Sequence, residues 1–281
     1  MEQAVHRWVL ITGCSTGIGR SLVDACRATG WGVVATARKR SALADLIEGP
    51  DLKLLELDVT CAQSIQSAVT ACTGIRLTAL VNNAGYGQMG PLEALHAEEL
   101  RAQFETNVVG LQAITNAFLP LIRSQARAGE GLIVHVASVL GRLSIPMAGA
   151  YNASKHAVVA LGETLRMEVA PDISVMIVEP GAIQTEFRKT LQQAWGDLPV
   201  RVKGTRYEET VERYRTHREE FAGKHGLSAK ACAAKIVGAM NAPRPPRRLI
   251  IGSDSFWAQV AHRWFPAAVF DWAVRRIYGV R

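Results

Sequence analysis

The chain has 281 residues, 48% hydrophobic and 20% charged, with 32 Lys+Arg against 25 Asp+Glu and a formal charge of +7. That composition is globular and excludes a disordered, collagen-like or small disulfide-stapled chain. The length suits one large or two small domains, and no uncharged apolar run reaches the roughly 18 residues of a membrane span.

The N-terminus runs straight into an apolar stretch without a signal-peptide pattern. The five cysteines (Cys14, Cys26, Cys61, Cys72 and Cys232) form no C-x-x-C pair. Reduced structural thiols in a cytoplasmic compartment are therefore expected. Residues 1–200 hold 16 basic and 18 acidic side chains, whereas 201–281 hold 16 and 7. No basic helix with interleaved aromatics and no zinc-ligand pattern accompanies that excess, so neither a nucleic-acid partner nor a metal is expected. A solvated basic surface, with anionic membrane as one candidate neighbour, fits it better.

In chain order, apolar runs at Trp8–Thr12, Gly32–Thr36, Leu52–Leu57, Ala79–Val81, Leu132–Ala137 and Ser174–Val178 predict six strands. Several are continuous rather than alternating, as in strands covered on both faces. Between them, helical patterns span Ile18–Thr29, Arg40–Glu48, Ala62–Ala71, Glu98–Ser124 and Asn152–Val169. The alternation predicts a doubly wound α/β domain with a mostly parallel, Rossmann-like sheet and helices on both faces. The whole of 1–281 is expected to be one domain.

From 182 to 241 the pattern changes. Tyr207, Val211, Tyr214 and Phe221 fall at helical spacing, with Glu209/Arg213 and Arg215/Glu219 four apart. This predicts a lid over the carboxyl edge of the sheet, or alternatively a surface helix that closes the core. A second helix, Ala229–Met240, follows Ser228 as cap, and Leu249–Gly252 is a candidate seventh strand. The extension 253–281 carries Phe256, Trp257, Trp264, Phe265, Phe270, Trp272 and Tyr278, divided by Pro266 into two short helices with interspersed Arg263, Arg275 and Arg276. Packing against protein and an interfacial membrane anchor both fit that pattern.

Thr12-Gly13-Cys14-Ser15-Thr16-Gly17-Ile18-Gly19 joins the first strand to the first helix. Its glycines permit a tight turn and close backbone approach to a pyrophosphate at a helix N-terminus. They are spaced G-x-x-x-G-x-G rather than G-x-G-x-x-G, and no Lys-Ser or Lys-Thr follows, which excludes a P-loop. Asp58 closes the third strand and Asn82-Asn83-Ala84-Gly85 the fourth, at the sheet edge where open α/β sheets bind ligands. Asn107 sits within the long helix, Ser138 follows the fifth strand, and Tyr151 and Lys155 lie four apart on one helical face.

An ammonium beside a phenol lowers its pKa from about 10, so Lys155 is suited to make Tyr151 an acid–base group near neutrality. Ser138 is placed to donate to a substrate oxygen. The second strand ends Ala35-Thr36-Ala37 with Arg38-Lys39-Arg40 next. No acid is available there for a ribose hydroxyl, and Arg38 is placed to fork onto a 2′-phosphate, or else belongs to a solvated basic turn.

In this order the motifs resemble the short-chain dehydrogenase/reductase family over about Trp8–Thr185, more loosely to Gly252. The resemblance implies a catalytic tetrad of Asn107, Ser138, Tyr151 and Lys155, with Asn107 holding a water that relays protons to Lys155. It implies that Gly13, Ser15, Thr16, Gly17, Ile18 and Gly19 hold a cofactor diphosphate. Asp58 would contact adenine, Asn82 would support the central strand, and Ile183 and Thr185 would flank the nicotinamide amide. The implied cofactor set also takes in Arg38, Val59, Asn83, Ala84, Gly85, Pro180 and Gly181, together with Tyr151 and Lys155.

The expected activity is hydride transfer between NADP(H) and a lipophilic secondary alcohol or ketone. Ser138, Leu140, Ile145, Met147, Tyr151 and Phe187 are the candidate substrate residues, with Leu143 also on the wall. The resemblance is greatest to members acting on steroids, retinoids or related lipids. Small aryl or aliphatic ketones, 3-oxoacyl thioesters, and a non-catalytic NADP-binding sensor or scaffold are the alternatives. A homodimer or homotetramer is expected, with peripheral membrane contact through the tail as a further candidate.

Overall fold

The computed structural model describes residues 7–185, 194–214 and 226–280. Seven strands form one parallel sheet: β1 (Trp8–Ile11), β2 (Gly32–Ala37), β3 (Leu52–Glu56), β4 (Leu77–Asn82), β5 (Gly131–Val136), β6 (Ile173–Pro180) and β9 (Arg248–Ile251). Their order is β3-β2-β1-β4-β5-β6-β9, with parallel pairing at every junction. Order reverses between β1 and β4, which opens a crevice at the carboxyl ends of those strands.

The strands are buried on both faces, which explains their continuous apolar runs. Val9 and Ile11 of β1 face α1 (Gly17–Arg27) and the later helix α8 (Ala229–Met240), in a core that includes Leu22, Val33 and Ile236. Leu10 and Val34 point the other way, toward Ile114, Phe118 and Leu165. Those last residues belong to α4 (Leu111–Gln125) and α5 (Gly149–Glu168), and α2 (Ala62–Ala71) packs beside them. The expected α/β fold with helices on both faces is present.

Two expected helices differ. Arg40–Glu48 is not an α-helix: only a 3₁₀ turn, Arg40–Leu43, forms. Glu48 is drawn sideways to β3, where it accepts from the Leu54 amide and pairs with Arg40, and Gly49 bridges to Leu52. Glu98–Ser124 is not one continuous helix either. α3 (Ala97–Phe104) opens into a π-turn at Glu105–Gly110 before α4 resumes. Such a turn shifts the hydrogen-bond ladder by one residue and recurs at functional sites.

Beyond β6, β7 (Ile183–Gln184) pairs in parallel with β8 (Leu227–Ser228). The Ser228 hydroxyl accepts from the Ala231 amide and caps α8, as its position predicts. Between them come α6 (Leu198–Arg201) and a helical stretch at 208–214, here α7. Val211 and Tyr214 are buried there, and Arg213 pairs with Glu209 at 3.6 Å. Phe187, Phe221 and the Arg215/Glu219 pair lie outside the described residues. The tail forms α9 (Ser253–Trp264) and α10 (Ala267–Tyr278), meeting at Pro266 with His262 edge-on to Phe270 at 5.0 Å.

A buried carboxylate joins this tail to the sheet. Glu179 of β6 is fully buried and accepts from Arg142 (3.0 Å), Arg248 (2.6 Å) and the Gln259 amide of α9 (3.0 Å). Burial alone would push its pKa up, but the Arg248 and Arg142 bonds prevail and hold it below the usual carboxylate value. Asp254, at the start of α9, accepts from the Ala182 amide at 2.8 Å.

Candidate active site

The Gly-rich turn is built around Thr12. Its hydroxyl oxygen accepts from the Asn83 and Ala84 amides, each at 2.9 Å, and the Asn83 side-chain amide donates to the carbonyls of Thr12 (2.9 Å) and Gly13 (3.1 Å). The first and fourth strand ends are thereby locked together. Gly13 has φ +74°, and a Cβ at Gly19 would collide with the Gly13 carbonyl, so the turn admits no side chain at either position. Cys14 is fully buried behind it, with its thiol on the Ile11 carbonyl and its pKa pushed by burial to about 12. This thiol is structural, as expected.

Along the carboxyl edge of the sheet runs a cavity of about 1370 Å³. At one end it is lined by Gly13, Ser15, Thr16 and Ile18 at the mouth of α1, by Ala37 and Arg38 after β2, and by Asp58 and Val59. Asn83, Ala84, Gly85, Pro180, Gly181, Ile183 and Thr185 continue that wall. Gly17 and Gly19 shape the turn from behind instead of lining the cavity. The residues fit a nicotinamide dinucleotide. The α1 N-terminus has no acid in its first turn and no side-chain cap on its amides, which leaves it suited to a diphosphate.

The three adjacent cations after β2 are not equivalent. Arg40 is committed to Glu48 and to the Leu54 carbonyl, whereas Arg38 faces the cavity and makes no ion pair among the described residues.

The tetrad residues gather at the middle of the cavity, except that Asn107 stands just behind its wall. Ser138 is buried and accepts from the Leu140 amide at 3.1 Å through its oxygen, which leaves its own proton free to point elsewhere. Tyr151 sits in the opening turns of α5, with the Lys155 ammonium 5.8 Å from its ring centre. Lys155 donates to the Val136 carbonyl at 2.8 Å, and burial pushes its pKa down to about 8. Next to it His135, fully buried, is driven by burial to about 4 and is neutral. Its Nδ1 lies 3.1 Å from the Asn82 amide, which also donates to Thr115, so Asn82 ties β4 to β5 and α4.

Asn107 lies inside the π-turn. Its side chain donates to the Tyr86 carbonyl (2.9 Å) and Ser154 hydroxyl (3.1 Å) and accepts from the Tyr86 amide (3.1 Å). Both amide protons are thereby used, and a water held by this side chain would have to donate to the second acceptor site of Oδ1.

On the far side, Leu140, Leu143 and Ile145 line the cavity as expected. Met147 does not. Its side chain lies in the buried cluster to which the wall residues Met89, Leu140 and Leu143 also belong, without lining the cavity itself, and its backbone adopts φ +68° where the chain turns into α5. A non-glycine residue held in that region is strained, and here it sets the entry angle of the helix bearing Tyr151. Sequence reasoning missed Thr12 as the hub of the turn and Ser154 as the link between α5 and Asn107. It also missed Trp195 and the inner faces of α9 and α10 as cavity walls, whereas Val211 and Tyr214, expected on a lid over the carboxyl edge of the sheet, do line the cavity. Only the helical spacing of apolar residues in the tail hinted at those faces.

Comparison with known proteins agrees with this geometry. The short chain dehydrogenase family matches residues 7–195. An uncharacterized oxidoreductase of Schizosaccharomyces pombe is 33% identical over 88% of this chain and 82% of that protein. A 3-ketodihydrosphingosine reductase of Bacteroides thetaiotaomicron is 32% identical over 97% and 98%. An NADPH-dependent 3-dehydrocapnine reductase of Ornithobacterium rhinotracheale is 30% identical over 94% and 95%.

Among solved structures, a short-chain dehydrogenase from Streptomyces avermitilis has a TM-score of 0.77 and 34% identity, covering 94% of this chain and 93% of that one. One from Burkholderia cenocepacia in complex with NADP has a TM-score of 0.72 and 26% identity over 93% and 94%. One from Burkholderia phymatum in complex with NAD has 0.78 and 27% over 92% and 93%. The chain belongs to the short-chain dehydrogenase/reductase family. It is an oxidoreductase that uses NAD(P)(H).

Proposed function

We propose that the protein interconverts a ketone and a secondary alcohol on a lipophilic, steroid-, retinoid- or other lipid-like substrate, with NADP(H) as cofactor. The observation that carries this reading is the division of the cavity into a polar end and an apolar end, with Ser138 and Tyr151 where they meet. Such a cavity is larger than the roughly 300–1,000 Å³ of most small-molecule sites, which supports room for a dinucleotide and a bulky apolar substrate together. Two relatives are by name reductases of 3-ketodihydrosphingosine and 3-dehydrocapnine, and the second is NADPH-dependent.

When bound, the nicotinamide supplies or accepts the hydride. Ser138 donates its free proton to the substrate oxygen and fixes it in place. Tyr151 gives the proton that the oxygen needs as it gains charge, and takes it back in the oxidative direction. Lys155 brings a positive charge to the phenol, and its desolvated setting makes that charge effective. Asn107 and Ser154 brace the Tyr86 segment against α5. Gly13, Ser15, Thr16 and Ile18 would receive the diphosphate, with Asp58 and Val59 beside the adenine.

Arg38 would hold the 2′-phosphate. A bond to a charged group contributes about 1.5–3 kcal/mol, or roughly 10- to 150-fold in affinity. With a series of ketones of increasing chain length, kcat/KM should rise with length and be at least about tenfold higher with NADPH than with NADH. Arg38→Ala should weaken NADPH and spare NADH. Equal use of both cofactors, or equal weakening of both, would overturn the cofactor assignment, and a flat length series the substrate class.

A further inference from the structure

The tail helices present two different faces. Inward, Ala258 and Ala261 of α9 and Phe270, Ala273 and Val274 of α10 line the cavity. Outward, Trp257 (65% exposed), Trp264 (77%) and Trp272 (63%) stand in solvent. Trp257 and Trp264 are seven residues apart, two turns of helix, and so share one side of α9.

Between the faces lie Phe265 (59% exposed), Val269 (49%) and Ile277 (53%), which line the cavity and are also open to solvent. Gly196, Pro199 and Glu212 are likewise exposed and on the lining, so the tail forms one part of the rim of the mouth. That part lies on the helices that carry the exposed tryptophans.

Charge accompanies that surface. Arg263, Arg275 and Arg276 are exposed on the two helices. Arg276 lies 5.9 Å from the Trp272 ring centre. On α9 and α10 only Asp271 is an exposed acid, since Asp254 is half-buried on the Ala182 amide. Tryptophan beside arginine is the composition of a membrane–water interface, where rings enter the acyl boundary and guanidinium groups meet phosphates. No described helix is long and apolar enough to cross a bilayer, and a 12-residue helix is about 18 Å long, so this contact would lie in the interface plane.

We propose that α9 and α10 form a docking face for an anionic lipid bilayer, and that the active-site cavity opens onto it so that an apolar substrate enters directly from the membrane. The delivery half rests on the lipophilic substrate proposed above; the docking half does not. A second copy of the chain fits the face less well. A two-fold contact sets a patch against itself, which would bring the arginines of both copies together and stopper the cavity mouth.

The test uses the full chain and vesicles of phosphatidylcholine, alone or mixed with phosphatidylglycerol. The protein should co-sediment with the mixed vesicles and much less with the neutral ones, its tryptophan emission should shift to the blue, and added salt should release it. The triple variant Trp257→Ser/Trp264→Ser/Trp272→Ser should lower partitioning by at least about tenfold, as should Arg263→Glu/Arg275→Glu. Both variants should keep wild-type turnover of a short water-soluble ketone.

Absence of binding to the mixed vesicles, or unchanged binding by both variants, overturns the docking face. A halved solution mass in the tryptophan variant overturns it in favour of a contact between copies. If a long-chain ketone is turned over in solution but not from bound vesicles, delivery falls. If it is turned over in neither form, the substrate reading falls while docking stands.

Discussion

The sheet and the tail are made of similar apolar residues put to opposite uses. In β1, β2, β4 and β5 every residue is buried, and the side chains alternate between two closed cores. In α10 no residue is fully buried, and much of its apolar surface faces either solvent or the cavity. A sheet buried on both sides holds its carboxyl ends in fixed places, so the groups that need accurate positions sit there: the Gly13 turn, Asn83, Ser138, and Lys155 on the Val136 carbonyl. Two helices attached at a few points provide walls and an opening. On the function proposed above, the first region would carry the chemistry and the second the choice of substrate.

The largest expected effect breaks the chemistry without touching the walls. Tyr151→Phe removes one proton and little surface. It should lower kcat by about 10²–10⁴ while NADPH affinity, followed by fluorescence, stays near wild type. More than about a tenth of the activity remaining would remove Tyr151 from its acid–base role. A large loss of cofactor affinity would show instead that the hydroxyl acts in binding.

A smaller effect should loosen the joint between the two regions. Glu179 accepts from Arg142, Arg248 and Gln259, so Glu179→Ala frees both guanidinium groups and the anchor of α9 together. Both arginines are partly exposed and can turn to water, which limits the loss to about 2–3 kcal/mol, below the 3–5 kcal/mol of a fully enclosed pair. The melting temperature should fall, and limited trypsin digestion should cut first in the α9–α10 segment. Cleavage spread evenly over the chain would mean that sheet and tail unfold as one unit.

The sheet was legible in the sequence because its signals are local and repeated. Continuous apolar runs gave all six expected strands of the first 180 residues, and Leu249–Gly252 the seventh, shifted by one residue. The positions of the Gly-rich turn, Ser138 and the Tyr151/Lys155 pair could be read from motif order, because strand ends and one helical turn fix their spacing, whereas Asn107 joined them only through the family resemblance. What could not be read depends on distant partners. Glu48 leaves its helical pattern for the Leu54 amide across the sheet edge, and the π-turn at Asn107 reflects bonds to Tyr86 and Ser154. Met147 was expected on the cavity wall as one of the apolar residues of the stretch Gly141–Gly149, yet its side chain is buried in the cluster behind that wall. The inner faces of α9 and α10 were hidden for a different reason. A tail helix with apolar residues on most sides announces burial somewhere without saying against what.

The smallest expected effect sharpens the account of the sheet region and is a matter of pH. Lys155 is buried on the Val136 carbonyl, and desolvation brings its pKa from 10.5 to about 8. Its charge is present below that value and lost above it. The kcat/KM for NADPH in ketone reduction, which reports groups of the free enzyme, should therefore decline above about pH 8, by about tenfold per pH unit once titration is complete. Stability runs the other way. Between about 8 and 10.5 the unfolded chain binds the proton that the folded chain has released, so this residue's contribution to folding stability rises with pH across that window. Lys155→Met removes this group from the stability profile, while the buried thiols, whose raised pKa values lower stability as pH rises past about 9, are common to both proteins. The Lys155 contribution is therefore the difference between wild type and variant in urea unfolding at about pH 7.5 and 9.5, and it should move in favour of the wild type at the higher pH. A kcat/KM that stays level to about pH 10 would place the lysine nearer its ordinary value, and burial behind Val136 would then not be what tunes Tyr151.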